Sequence, residues 1–206
     1  MYHFYLMNDM PEHRYFLFHK PINMVSQFVS SHNVPLIGDI DFEFPEGTHA
    51  IGRLDKNSEG LLLLTTNSKV TRLLFHGEQP HKRKYLVQVI NTISQETVAK
   101  LAAGIAISAP DASKYMTQPC EVEIVEKPDN IQTLSDKPLH KNVTNSWITI
   151  TLTEGKFHQV RKMVAAVQHK CLRLIRISIE EVELGQLMPG EIKEVSHEYF
   201  FQKLKL

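Results

Sequence analysis

The chain has 206 residues, 42% of them hydrophobic, and its 23 Lys and Arg balance 23 Asp and Glu to a formal net charge of zero. That length can bury roughly 70% of the unfolded surface in one domain or two closely joined halves. The neutral balance excludes a protein coated in positive charge, and no apolar run approaches the roughly 20 residues of a membrane span.

The opening MYHFYLMNDMPEHRYF lacks the basic-then-apolar order of a signal peptide. Tyr15 to Phe18 reads as a short buried strand that Pro21 turns. Leu36 to Gly52, rich in Pro, Gly and acids, reads as loop. Leu61 to Thr65 does not alternate and is expected to be a strand buried on both faces. Asn67 is placed to cap a helix that turns Val70, Leu73 and Leu74 inward. Tyr85 to Val89 follows as a strand with Tyr85, Val87 and Val89 on one face, then a helix from Ser94 to about Ala103 that Gly104 stops, with Val98, Leu101 and Ala102 inward.

Cys120 to Val125 is a further strand, and Glu126 to Ser146 is an excursion without sustained period. Trp147 to Thr153 alternates, with Ile148, Ile150 and Leu152 inward and threonines outward. Past Gly155, Val160, Met163, Val164 and Val167 form one apolar helical stripe flanked by Arg161 and Lys162. Leu172 to Ile179 returns as a strand. The irregular mixture of elements predicts an α+β fold, a largely antiparallel sheet carrying helices.

Charge is segregated along this frame. Lys156 to Arg176 holds six Lys or Arg and no acid, and His81 to Tyr85 reads HKRKY. Confined positive surface on a neutral chain suits a polyanion bound in one place; solvated faces are the plain alternative. Cys120 and Cys171 show no metal-ligand spacing and are expected to be reduced. The eleven histidines form no ligand pattern, so no metal is expected, and His76 and His81 are assigned to the basic surface. The spacing of Gly47, Gly52 and Gly60 is wrong for a phosphate-cradling loop.

The chemistry concentrates in GRLDKNSEGLLLLTTN, Gly52 to Asn67. A carboxylate at a core boundary is costly unless paired, so Asp55 is expected to have a cationic partner, for which Arg161 is the candidate. Paired, it would stay ionised and oriented, as a nucleophile requires. On these grounds alone Asp55 is either such a nucleophile or a turn residue at the entry to the strand. A glycosidase-type pair would need a second acid, for which Glu59 is nearest in sequence.

The same segment closely resembles the motif that carries the catalytic aspartate of the ribosomal RNA pseudouridine synthases acting at single small-subunit or large-subunit sites. FHKPINMVSQF is similar to that family's first motif, KYLVQV to its tyrosine strand, SWITITLTEGKFHQVRKM to its basic motif and CLRLIRISIEEVELGQLMPGE to its closing segment, in the family's order. The short approach to the first motif and TNSWITIT resemble the E-type large-subunit branch.

The resemblance implies the pseudouridine synthase fold with a central cleft, and a catalytic domain over residues 15–206 after a leader of residues 1–14, without a separate N-terminal RNA-binding domain. It implies isomerisation of a uridine of 23S rRNA near the peptidyl transferase centre, a reaction that needs no cofactor. It casts Asp55 as nucleophile, Tyr85 as the tyrosine packing on the target base, Arg161 as the partner of the aspartate, and Arg53 as filling the space an extruded base leaves. Lys82, Arg83, Lys84, Lys156 and Lys162 would contact RNA. A cytoplasmic monomer is expected, with an inactive RNA-binding assembly factor of the same fold as the alternative and a nucleoside or sugar hydrolase as a third reading. Two positions depart from the family's pattern: Glu180 stands where glycine is common, and Lys156 where arginine is common.

Overall fold

The computed structural model describes residues 13–77, 79–128 and 143–206. Its elements in chain order are β1 (Tyr15–Lys20), β2 (His49–Ile51), β3 (Glu59–Thr65), α1 (Val70–His76), β4 (Arg83–Ile90), α2 (Gln95–Ala102), β5 (Ala106–Ser108), β6 (Lys114–Met116) and β7 (Glu121–Val125). They continue with β8 (Asn145–Leu152), α3 (Gln159–Ala166), β9 (Cys171–Ile179), β10 (Val182–Glu183), β11 (Ile192–Val195) and α4 (His197–Leu204). The fold is α+β, as the sequence predicts.

Nine strands form one sheet in the order β11-β1-β3-β9-β4-β8-β7, with β2 added to β3 and β10 to β9, while β5 and β6 form a separate hairpin. β3 and β9 are the parallel neighbours, matched only at Glu59 with Ile175 and Gly60 with Arg176. That short seam joins two antiparallel halves. Gly60 is required there, since it adopts φ +101° and a Cβ would strike the Arg176 backbone.

The four leucines of β3 are explained by its having apolar layers on both faces. Leu61 and Leu63, like Tyr15 and Leu17 of β1, pack with Val70 and Leu74 of α1 and with Phe200 and Leu204 of α4. Leu62 and Leu64, like Phe16 and Phe18, pack with Met24, Ile37 and Leu54 from the loops on the opposite face. Across the seam, Val87, Val89, Ile148 and Ile150 of β4 and β8 are covered by Val98 and Leu101 of α2 and by Val160, Met163 and Val164 of α3.

Some local expectations change. The segment from Leu36 to Gly52 contains β2 and a turn of 3-10 helix at Ile37–Asp39, held where Ile37 sinks into the core. Leu73 is 46% exposed, because α1 spans only Val70–His76 and presents just one edge to the sheet. Thr149 is buried rather than outward, on a strand whose two faces are both covered near its centre. His81 is buried too, its Nδ1 3.5 Å from Glu180 Oε1, so it is not part of a basic surface. The expectations for residues 1–12, for the side chain of His76 and for 129–142 of the excursion lie outside the described residues.

Candidate active site

Asp55 sits in the loop that leads into β3, and neighbouring segments fix that loop on each side of it. Ser26 Oγ donates to the Leu54 carbonyl and accepts from the Leu54 amide, both at 2.9 Å. The Asn23 amide donates to the Lys56 carbonyl at 2.8 Å, and the Ser58 amide closes a turn on the Asp55 carbonyl at 3.0 Å. From α3, Arg161 Nη2 donates to the Asn57 carbonyl at 2.6 Å. Such anchoring sets the carboxylate's position before any ligand arrives.

Asp55 opens onto a cleft of about 730 Å³ over the seam between the two halves. One wall comes from Gly52 to Asp55 with Phe75, Gln79, Pro80, His81 and Arg83, the other from Thr153 to Val160, and Tyr85, Leu174 and Arg176 complete it. Gly52 adopts φ +71°, and any Cβ there would overlap the Phe75 ring. Arg83 spans the walls: its Nη2 donates to the Thr153 carbonyl at 2.7 Å, and its guanidinium lies 5.6 Å from the centre of the Phe75 ring.

Of the residues singled out in the sequence, Asp55, Tyr85, Arg53, Arg83 and Lys156 line this cleft. Arg161 departs from expectation, since it forms no ion pair with Asp55. The register of α3 carries its guanidinium to the Asn57 carbonyl and Ser58 hydroxyl, and its Nε is buried without a hydrogen-bond partner. Lys82, Lys84 and Lys162 lie away from the cleft walls. Lys82 Nζ binds Glu121 at 2.8 Å, Lys84 sits on β4 opposite Thr151 and Ser178, and Lys162 Nζ donates to the Ser108 carbonyl at 2.6 Å. Glu59 is unavailable as a second acid: it is buried and held by a bidentate pair with Arg173, at 2.7 and 2.8 Å.

The structure adds residues that the sequence reading left aside. Arg176 of β9 is 2% exposed and lines the cleft, its Nε donates to the Leu61 carbonyl at 2.7 Å, and its Nη2 has no hydrogen-bond partner among the described residues. Burial lowers its pKa from the ordinary arginine value, and charge and hydrogen-bond interactions with Tyr85 oppose the fall. A register shift between Lys84 and Tyr85 sets Tyr85 opposite Arg176. Lys20 is fully buried, its Nζ donating to the carbonyls of Pro21 at 2.9 Å and Met24 at 2.7 Å. Desolvation pulls its pKa down to about 8, opposed by the charges of Glu59 and Asp55.

Beside Asp55 the structure places a histidine. His158 Nε2 lies 3.6 Å from Asp55 Oδ1, and the residue holds a left-handed conformation, φ 55°, at the start of α3. Its periodic neighbours hid it, because the apolar stripe of α3 draws attention to the helix rather than to the loop before it. Glu154 organises that loop. It accepts from the Tyr115 hydroxyl, the Gln118 amide and Gln159 Nε2 at 2.5, 2.9 and 2.5 Å, which occupies the other carboxylate among the described residues of the cleft.

A departure at Glu180 also finds its reason. Its backbone adopts the left-handed φ of 48° that glycine would supply, and its carboxylate accepts from the Lys82 amide at 2.6 Å and faces Lys205 Nζ at 3.1 Å. Those contacts offset the conformational cost.

Among the described residues no cluster of His, Cys, Asp or Glu could hold a metal ion, and no helix is long and apolar enough to cross a membrane. Cys120 and Cys171 are free, with burial pushing each thiol up to about 11.

The chain is similar to the ribosomal large subunit pseudouridine synthase E of Vibrio parahaemolyticus, 30% identical over 91% of this chain and 76% of that one. To the protein of the same name from Xanthomonas axonopodis it is 32% identical over 84% of this chain and 89% of that one. A solved pseudouridylate synthase structure superposes with a TM-score of 0.74 at 28% identity, covering 94% of this chain and 74% of that one. Residues 14–166 match the RNA pseudouridylate synthase family as a whole. With the aspartate loop, the tyrosine strand and the basic loop converging on one cleft, the chain belongs to the RNA pseudouridylate synthase family, a family of isomerases.

Proposed function

We propose that this protein isomerises a specific uridine of 23S rRNA, in the peptidyl transferase region, to pseudouridine, with Asp55 as the nucleophile. The observation that carries this reading is how Asp55 is presented, beside His158 and with no Lys or Arg ion pair among the described residues. It is a half-exposed carboxylate on a loop anchored at Leu54, Lys56 and Asn57, in a cleft whose other carboxylate among the described residues, Glu154, is already bound to donors. The names of the similar proteins from Vibrio and Xanthomonas support a large-subunit target.

The target base must leave its stack to reach the cleft, which costs a few kcal/mol. Tyr85, in contact with Arg176, offers the face against which the uracil packs, and Arg53 fills the space that the base leaves. Asp55 then adds to the uracil ring or to the anomeric carbon of the ribose. On either route the bond from N1 to the sugar breaks, one from C5 forms, C5 loses its proton, N1 gains one, and the bond to Asp55 breaks to free the carboxylate. Atoms and charge balance without an oxidant or a second substrate. Arg161 acts on this step through the loop backbone, as a positioning residue, and Lys20, buried behind the loop, holds positive charge near Asp55. Arg83 and Lys156 at the cleft are suited to phosphates, with Lys82, Lys84 and Lys162 further out along the strand's path.

The protein is taken to act as a cytoplasmic monomer whose catalytic domain spans residues 15–206. The test is to map pseudouridines in rRNA from cells with and without the protein, and then to incubate purified protein with a 23S rRNA transcript. Loss of one site, restored by the wild type in vitro, supports the reading. An unchanged map with intact RNA binding would leave an assembly factor, and liberated uracil would indicate a hydrolase.

A further inference from the structure

We infer that Phe157 is a stacking platform at the rim of the cleft for the nucleobase next to the target uridine, an assignment that rests on the reading of the cleft as a uridine site. Phe157 is 61% exposed, lines the cleft and packs against none of the three apolar clusters, so its ring adds little to the core. It is nonetheless held firmly. One face stacks on His158, with centroids 3.9 Å apart and planes 18° from parallel, and His158 in turn reaches Asp55.

The loop beneath it is closed on both sides. The Lys156 amide donates to Gln159 Oε1 at 2.9 Å, and the Gln159 amide donates to the Lys156 carbonyl at 3.0 Å. An aromatic face fixed in advance costs little entropy to use. When the target is extruded, the base beside it loses a stacking partner, and an aromatic side chain can replace that partner whatever the neighbour's identity.

Lys162 Nζ lies 5.3 Å from the Phe157 ring centre, and Lys156, next in sequence, carries its Nζ over the Tyr115 ring at 4.6 Å, so the platform is bordered by one cation suited to an adjoining phosphate. An exposed contact between a cation and a ring is weaker than a stacked base, so an arriving base displaces it.

The experiment uses an rRNA transcript that carries 2-aminopurine on the 5′ or the 3′ side of the uridine that the wild type modifies. Wild type should quench the probe on one side, Phe157→Ala should not, and Phe157→Tyr should restore the quenching. KM for the unlabelled transcript should rise between about fivefold and 150-fold in Phe157→Ala. An abasic nucleotide on the quenched side should erase the difference between wild type and that variant. Val29→Ala, at an 81% exposed residue elsewhere, is the control and should match wild type. Absence of quenching on both sides, or an unchanged KM in Phe157→Ala, would overturn the inference. If wild type binds the transcript and yields no pseudouridine, the proposed function fails, and probes placed along the bound strand still show whether Phe157 stacks.

Discussion

Arg161 Nη2 donates to the carbonyl of Asn57 at 2.6 Å, two residues beyond Asp55. The guanidinium therefore holds the loop's backbone and forms no ion pair with the carboxylate. Replacing Arg161 by Met removes the donor from that carbonyl and should lower stability by about 1–3 kcal/mol. Pseudouridine formation should fall with it as the loop loosens. Denaturant unfolding and single-turnover assays measure both. A variant as stable and as active as wild type would show that the contact positions nothing.

Glu59 and Arg173 form a buried pair under the same loop. Arg173→Met should cost about 3–5 kcal/mol by leaving a buried carboxylate without its countercharge. The double variant with Glu59→Gln should recover part of that loss, and a thermodynamic cycle from urea melts measures the coupling.

The strongly patterned parts of the chain were legible in its sequence. The unbroken leucines of β3, the isoleucines of β8 and the stripe of α3 all found their expected layers, while Thr149 of β8, expected outward, is buried. Asp55 was legible because a charge beside such a strand demands an explanation. The destination of Arg161 was not, because neighbours along a helix do not reveal which carbonyl or carboxylate a long side chain will reach across 104 positions of sequence. Arg176 and Lys20 escaped notice for a related reason. Each is a basic residue of a largely apolar strand, Arg176 sharing β9 with Arg173 and Lys20 ending β1, and only the packing shows that β9 delivers Arg176 beside Tyr85 and that β1 buries Lys20. The short elements β2, β10 and β11 are strands because partners are available, not because their few residues insist on it.

Lys20 gives the fold a pH dependence. Burial lowers its pKa from 10.5 to about 8, so between those values the unfolded chain holds a proton that the native state has released. Stability from this group is fully present above about pH 10.5 and is lost as pH falls through about 8, a span worth about 3 kcal/mol. The difference in unfolding free energy between wild type and Lys20→Met should therefore shift in favour of wild type as pH rises from 8 to 10.5. A difference that stays flat across that range would mean that the amine is not desolvated.

RNA binding should weaken linearly in a plot of log affinity against log salt. Lys156→Ala should reduce the slope by about 0.7–0.9, the share of one phosphate contact. Filter binding at several salt concentrations measures this, and an unchanged slope would remove Lys156 from the interface.

The central claim is that Asp55 carries out the chemistry. Asp55→Asn keeps the side chain's shape and removes its charge, and its rate of pseudouridine formation on a 23S rRNA transcript should fall at least about 10⁴-fold with RNA affinity largely retained. A variant that still converts uridine at the wild-type rate would contradict the account.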